Sequence, residues 1–245
     1  MKYIFFLLIL TITISCKQEK HLETAQNIID KAINNACNGH CETATIDFTF
    51  RDRCYVSKRN GSNFQFERIS HDSIGVTRDV LNNEGFQRFI NDTLITVVDS
   101  MAVNYGNSVN SVHYFAQLPY SLNDAAVIKE MFGEAIIKNE PYYEINVHFK
   151  KEGGGTDYDD TFVYWIHKEN YTVDFLAYKY AVNGGGIRFR EAYNIREVNG
   201  IRFVDYNNYK PESLDISLND LDELFVKGKL QLLSKIENEG VGVSY

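Results

Sequence analysis

Proline is nearly absent from this chain, with three among 245 residues, and tryptophan occurs once. A ring without an N–H cannot donate to a sheet ladder, so its scarcity leaves long strands uninterrupted. The chain also lacks a clustered basic stretch. Its 25 Lys and Arg stand against 33 Asp and Glu, a formal net charge of −8. That balance excludes nucleic acid as a partner and argues against electrostatic adhesion to anionic lipid. Beyond the first sixteen residues no apolar run approaches the ~20 needed to span a bilayer. Strands and helices do not alternate as βαβ units, which removes Rossmann folds and aldolase-type barrels. What is abundant is aromatic: 16 Tyr and 16 Phe, with many Val and Ile, the composition of an extended antiparallel sheet.

The N-terminus carries the most specific pattern. Lys2 precedes an apolar run over residues 3–14, followed by Ser15-Cys16 and a polar stretch over 17–20. A basic start, a short apolar segment and a small residue before a cysteine form a bacterial lipoprotein export signal; an ordinary secretory signal is the alternative. The expectation is a signal over 1–15, an acylated Cys16 with a tether over 16–21, and one α+β domain over 22–245. Acyl chains at ~0.8 kcal/mol per buried methylene hold such a protein to its membrane. The expected address is the cell envelope, lipid-anchored to the outer membrane on its periplasmic or surface side, as a monomer.

Three further cysteines follow. Cys37-Asn-Gly-His-Cys41 can close a small disulfide, remain as thiols, or offer a weak metal set with His40, and Cys54 is expected as a buried thiol in a strand. The apolar positions Leu22, Ala25, Ile28, Ile29, Ala32, Ile33 and Ala36 predict an amphipathic helix ended by Asn38-Gly39. From Ala44 the period becomes two, and Asn60-Gly61 between alternating runs marks a hairpin. Further strands are expected over 74–80, 85–90 and 94–98. A helix is expected around Val109, Val112 and His113, stopping before Pro119. A second short helix from Asn123-Asp124 through Phe132 would end at Gly133. Three hairpin-like units then cover 135–149, 162–180 and 187–209. A helix over 217–226, capped by Ser217, and a last strand over 230–236 close the chain. The class is therefore α+β with a large antiparallel sheet.

Several late strands carry bulky residues on both faces: Phe162, Tyr164 and Ile166 on one, Val163, Trp165 and His167 on the other. Helices cover the second face, or they leave an apolar cleft for a lipid or acyl chain. The residues expected to line such a cleft are Tyr114, Phe115, Trp165, Tyr178 and Arg188. Arg188, Arg190, Asn194 and Arg196 alternate onto one strand face, to pair with Asp157, Asp159 or Asp160 or to meet an anionic head group. The loop over residues 152–160 holds three aspartates, Asp157, Asp159 and Asp160, that could bind calcium without the EF-hand spacing. The glycines of 183–186 are expected as a bend of close backbone approach, not a phosphate cradle. No Ser/His/Asp or Cys/His set stands out, so no catalytic residue, metal or cofactor is expected.

A leading helix, long antiparallel meanders, a helical insertion midway and late hairpins such as Glu197-Val-Asn-Gly-Ile-Arg-Phe203 resemble the half-barrel lipoprotein-localisation carriers of the LolA/LolB type. That resemblance implies a large curved half-barrel sheet with helices packed on one face. The blocks 107–119, Gly184-Gly-Gly-Ile-Arg-Phe-Arg190 and Tyr206-Asn-Asn-Tyr-Lys-Pro211 are similar to an uncharacterised envelope lipoprotein family common in flavobacteria and relatives. For a carrier, the anchor would suit a receptor-like role. The expected function is an anchored lipoprotein that binds a hydrophobic ligand. The alternatives are a structural or interaction lipoprotein of the envelope and, third, a hydrolase.

Overall fold

The computed structural model describes residues 23–153 and 158–245. Cys16 with its signal and tether, and Asp157 of the acidic loop, lie outside them. Helix α1 (Ala25–Cys37) starts at Thr24, whose hydroxyl accepts the Asn27 N–H at 3.1 Å, and ends at Asn38 in the left-handed conformation. Strands β1 (Thr45–Phe50), β2 (Arg53–Asn60), β3 (Asn63–Asp72), β4 (Gly75–Asn82), β5 (Gly85–Ile90) and β6 (Thr93–Ile95) form a meander. Helix α2 (Asp99–Ala116) follows, then a single 3-10 turn over Tyr120–Asn123. A second meander runs through β7 (Val127–Ile137), β8 (Glu140–Phe149), β9 (Thr161–His167), β10 (Val173–Tyr180), β11 (Gly186–Val198) and β12 (Ile201–Lys210). Helix α3 (Leu221–Val226), β13 (Gln231–Ile236) and β14 (Asn238–Ser244) end the chain.

These strands make two open, seven-stranded antiparallel sheets, ordered β14-β1-β2-β3-β4-β5-β6 and β13-β12-β11-β10-β9-β8-β7. Only Glu237 separates β13, which pairs with β12, from β14, which pairs with β1. The last extended segment therefore stitches the sheets together. Buried Asp205 of β12 fixes that seam. It accepts from the Asn238 N–H at 3.0 Å, from Asn194 Nδ2 and from Arg196 Nη2 at 3.1 Å. The fold is the α+β half-barrel that the element order led us to expect.

Helices α1 and α2 share the inner face. Ile28, Ile29 and Phe115 pack on Phe162, Tyr164, Leu176 and Tyr206 of the second sheet. Ile33, Val112 and Ala116 pack on Ile46, Phe48, Tyr55 and Phe203. His113 of α2 is buried against Phe48, Tyr55 and Phe66, with its Nε2 3.1 Å from the Glu67 carbonyl. Burial holds its pKa down to about 4, so it stays neutral. The outer face of the second sheet has its own core: Val163, Trp165, Phe175, Ile187 and Phe189 beneath Leu221, Leu224 and Phe225 of α3. The bulky residues on both faces of β9 and β10 thus answer to two separate covers.

Three local expectations are corrected. Residues 127–133 form the start of edge strand β7, not a helix, pairing with β8 from Val127↔Phe149 to Ile137↔Glu140. Val127, Ile128, Met131 and Phe132 fit a helical stripe, but a short apolar run fits a strand equally, and the ladder decides. Strand β14 carries Gly240 and Gly242 and was not expected. Its pairing with β1 places Gly242 against Asp47, where an added Cβ would stand 2.6 Å from Oδ1. Cys54 is exposed, because the pleat of β2 turns its neighbour Tyr55 inward instead. Cys37 and Cys41 are joined as a disulfide, which takes both thiolates from any metal site with His40.

On the outer face Glu144 of β8 is 5% exposed. It accepts from Asn219 Nδ2 at 2.7 Å, near Asp220 and Asp222 and with no cation among its described partners. Burial, opposed by that hydrogen bond, pushes its pKa up to about 7. The folded chain therefore holds this proton more tightly than the unfolded chain. Stability is full below pH ~4.5 and is lost as pH rises through about 7. Buried Asp222, also pushed up by burial, adds in the same direction. Urea denaturation is expected to show a loss of up to about 3 kcal/mol between pH 5 and 8, flattened in Glu144→Gln. A profile unchanged by that substitution would assign the slope to other groups.

Candidate functional site

A groove of about 980 Å³ opens on the inner face between α2, strands β10–β12 and β13. Val112, Phe115 and Ala116 of α2 form one wall, and Leu233 and Ile236 of β13 form the other. Its floor is set by the strand pleat, which sends Tyr178 and Tyr180, Arg188 and Arg190, and Tyr206 and Asn208 to the same side. Register then places them side by side: Tyr178 opposes Arg188, and Arg190 opposes Asn208. Gly186 allows the strand to begin close under Tyr180, since an added Cβ would stand 2.6 Å from the phenol oxygen. This is the close approach expected of the 183–186 bend.

The floor is aromatic. Phe115 and Tyr178 lie 5.2 Å apart by ring centroid, and Phe162 beneath lies 5.5 Å from Tyr178. Tyr114 donates to or accepts from Tyr164 at 2.7 Å one layer deeper. Burial raises the pKa of both, and pushes Tyr206 up to about 12, so these phenols stay protonated at neutral pH. The Arg190 guanidinium lies 3.8 Å from the Phe115 ring centroid and 5.0 Å from that of Tyr178. Its Nη2 donates to the Tyr178 hydroxyl at 2.8 Å. Its Nε and Nη1, and Oδ1 of Asn208, have no hydrogen-bond partner among the described residues. Arg188 Nη2 donates to the Tyr180 hydroxyl at 2.7 Å.

Of the residues expected at a cleft, Phe115, Tyr178 and Arg188 line this groove, and Tyr114 lies beneath it. Trp165 does not reach it. It is fully buried on the opposite face, 5.5 Å from Phe189 by ring centroid, because it alternates with the inward Tyr164 and Ile166. The arginine row is also split. A bulge between Tyr193 and Arg196 redirects Arg196 to Asp205, so only Arg188 and Arg190 face the groove. Tyr206 and Ile236 were not expected at the site, and Arg190 was expected on the head-group-facing strand row but not among the residues lining the cleft. Arg190 was within reach, two residues from Arg188 on one strand face. Ile236 was not, because its place depends on how the two sheets join. Asp160 lines the groove. Among the described residues no group of three His, Cys, Asp or Glu is placed to hold a metal.

A smaller hollow of about 370 Å³ on the first sheet surrounds Arg68, Asp79 and Arg88. Asp79 accepts from Arg68 Nη2 and Arg88 Nε, each at 2.6 Å, so the two guanidiniums share one buried carboxylate.

No curated protein matches the chain in sequence. Solved structures do. A DUF1329 family protein from Desulfovibrio piger is similar at 13% identity, with 84% of this chain and 99% of that one covered and a TM-score of 0.50. A LolA superfamily protein from Nitrosomonas europaea is similar at 12% identity, covering 91% and 92%, with a TM-score of 0.47. At 13% identity the Desulfovibrio piger likeness concerns the fold alone. Residues 2–238 match the family of unknown function DUF6503, and the chain belongs to that family.

Proposed function

We propose that this protein holds a hydrophobic ligand, a lipid or acyl chain, in the inner-face groove while an acylated Cys16 tethers it to the envelope membrane as a single domain. The groove's volume and aromatic floor carry the reading. About 980 Å³ lies at the top of the ~300–1,000 Å³ range of small-molecule sites, and Phe115, Tyr178 and Tyr206 supply apolar surface that water solvates poorly. No described helix is long and apolar enough to cross a membrane, which suits attachment through a lipid.

Native mass spectrometry of the Cys16→Ser protein, purified without detergent, is expected to show an adduct of lipid mass. Phe115→Arg, which fills the groove with a charged side chain, is expected to lose it. A chain that carries no adduct and takes up no added palmitate or hexadecanol would overturn the reading. Radiolabelled palmitate is expected to enter the wild-type chain in cells and not the Cys16→Ser variant. Label that persists in the variant would dispose of the anchor.

A further inference from the structure

We propose that the groove selects an anionic amphiphile, a chain ending in a carboxylate or phosphate, and that Arg190 receives the head group. This rests on the hydrophobic-ligand reading and adds the chemistry of one end of that ligand. Arg190 is 7% exposed, yet it makes no ion pair among the described residues. Stacking on Phe115 satisfies the flat face of the guanidinium, but its N–H donors lie in the plane and gain nothing from a ring. One of them reaches Tyr178, while Nε and Nη1 meet no acceptor among the described residues. A buried, unpaired cation is costly and is found paired or bound to a ligand in folded proteins.

The surroundings point the same way. In a chain of net charge −8, the described lining of this groove contains Arg51, Arg188 and Arg190 against the single acid Asp160. Arg188 is half-buried toward the same opening and is held by Tyr180. Among the described residues, the unmet donors of Arg190 lie at an aromatic floor. A carboxylate or phosphate oxygen set there would accept from Arg190 while its chain lies along Phe115, Tyr206 and Ile236. The second sheet therefore supplies a polar end and an apolar run within one groove.

The test uses Cys16→Ser protein and ligands of one chain length: palmitate, hexadecyl phosphate, hexadecanol and methyl palmitate, each displacing a fluorescent acyl probe. Palmitate or hexadecyl phosphate is expected to bind roughly tenfold to hundredfold more tightly than the neutral pair, the range of a charge-assisted hydrogen bond. In Arg190→Gln that ratio is expected to fall to within about threefold of unity. Because Arg190→Gln can disturb folding, the wild-type form also gives an independent reading. The ¹³C-carboxyl resonance of bound palmitate is expected to titrate below the free acid, as a carboxylate beside a guanidinium does. Equal binding of charged and neutral chains, or a bound carboxyl that titrates above the free acid, overturns the head-group proposal and leaves the hydrophobic site standing. Displacement by millimolar acetate or inorganic phosphate alone would mark a small-anion site and overturn the amphiphile. Failure of every chain to bind overturns both readings together.

Discussion

Asp205→Ala is expected to lower the unfolding free energy by about 3–5 kcal/mol, the cost of breaking a buried ion pair by deleting one partner. Asp205 is 3% exposed and answers three donors from three places in the sequence: Asn194 and Arg196 of β11, and the Asn238 backbone at the head of β14. Its removal leaves the Arg196 guanidinium without a counter-charge, held only by the Asn194 and Asn238 carbonyls, and a buried N–H without an acceptor where the chain passes from one sheet to the other. The damage should therefore be directional. Amide exchange is expected to quicken first over residues 238–244, which pair with β1 at the edge of the first sheet. Asp205→Asn keeps an acceptor for the Asn238 N–H but loses the charge, so a cost nearer 1–2 kcal/mol is expected. Denaturation in urea measures both. A loss below about 1 kcal/mol for Asp205→Ala would mean that the seam is held by apolar packing alone.

That seam marks the limit of what the sequence made legible. Local chemistry was readable wherever a turn or cap dictates it. Asn38-Gly39 ends α1, Asn60-Gly61 turns β2 into β3, and Ser217 accepts the Asn219 N–H ahead of α3. The three late hairpins followed from period two broken by turn residues. What failed was decided at long range. Residues 127–132 carry an apolar spacing that suits helix or strand, and only the ladder with β8 resolves it. Strand β14 has glycines that weaken any strand pattern, and its partner β1 lies almost two hundred residues earlier in the chain. The site shows the same division. Phe115, Tyr178 and Arg188 came from aromatic density and strand alternation. That Arg190 has no acid partner among the described residues is visible only in the folded chain.

Trp165→Ala is expected to cost about 3–5 kcal/mol while leaving the affinity of the groove for an acyl chain unchanged. The two halves of that result have one origin, the alternation of β9. Tyr164 and Ile166 point inward beneath the groove, and Trp165 points outward into the core shared with Phe189, Val163 and Leu221. Truncation opens a cavity in that outer core, which α3 and its preceding 3-10 turn (Leu218–Asp220) cover. The cost is tempered because Trp165 Nε1 is buried without an acceptor among the described residues, so part of the gain from burying the ring is already offset. Trp165→Phe removes that unmet donor along with some contact area, and is expected to fall within about 1 kcal/mol of the native chain. Urea denaturation and probe displacement on the same samples separate the roles. If Trp165→Phe held its stability but weakened acyl binding tenfold, the ring would belong to the ligand site after all, and the division between a binding face and a structural face would fail. The reverse pattern is expected at Phe115, where the ring faces the groove and Arg190. Truncation there should weaken binding far more than it weakens the fold.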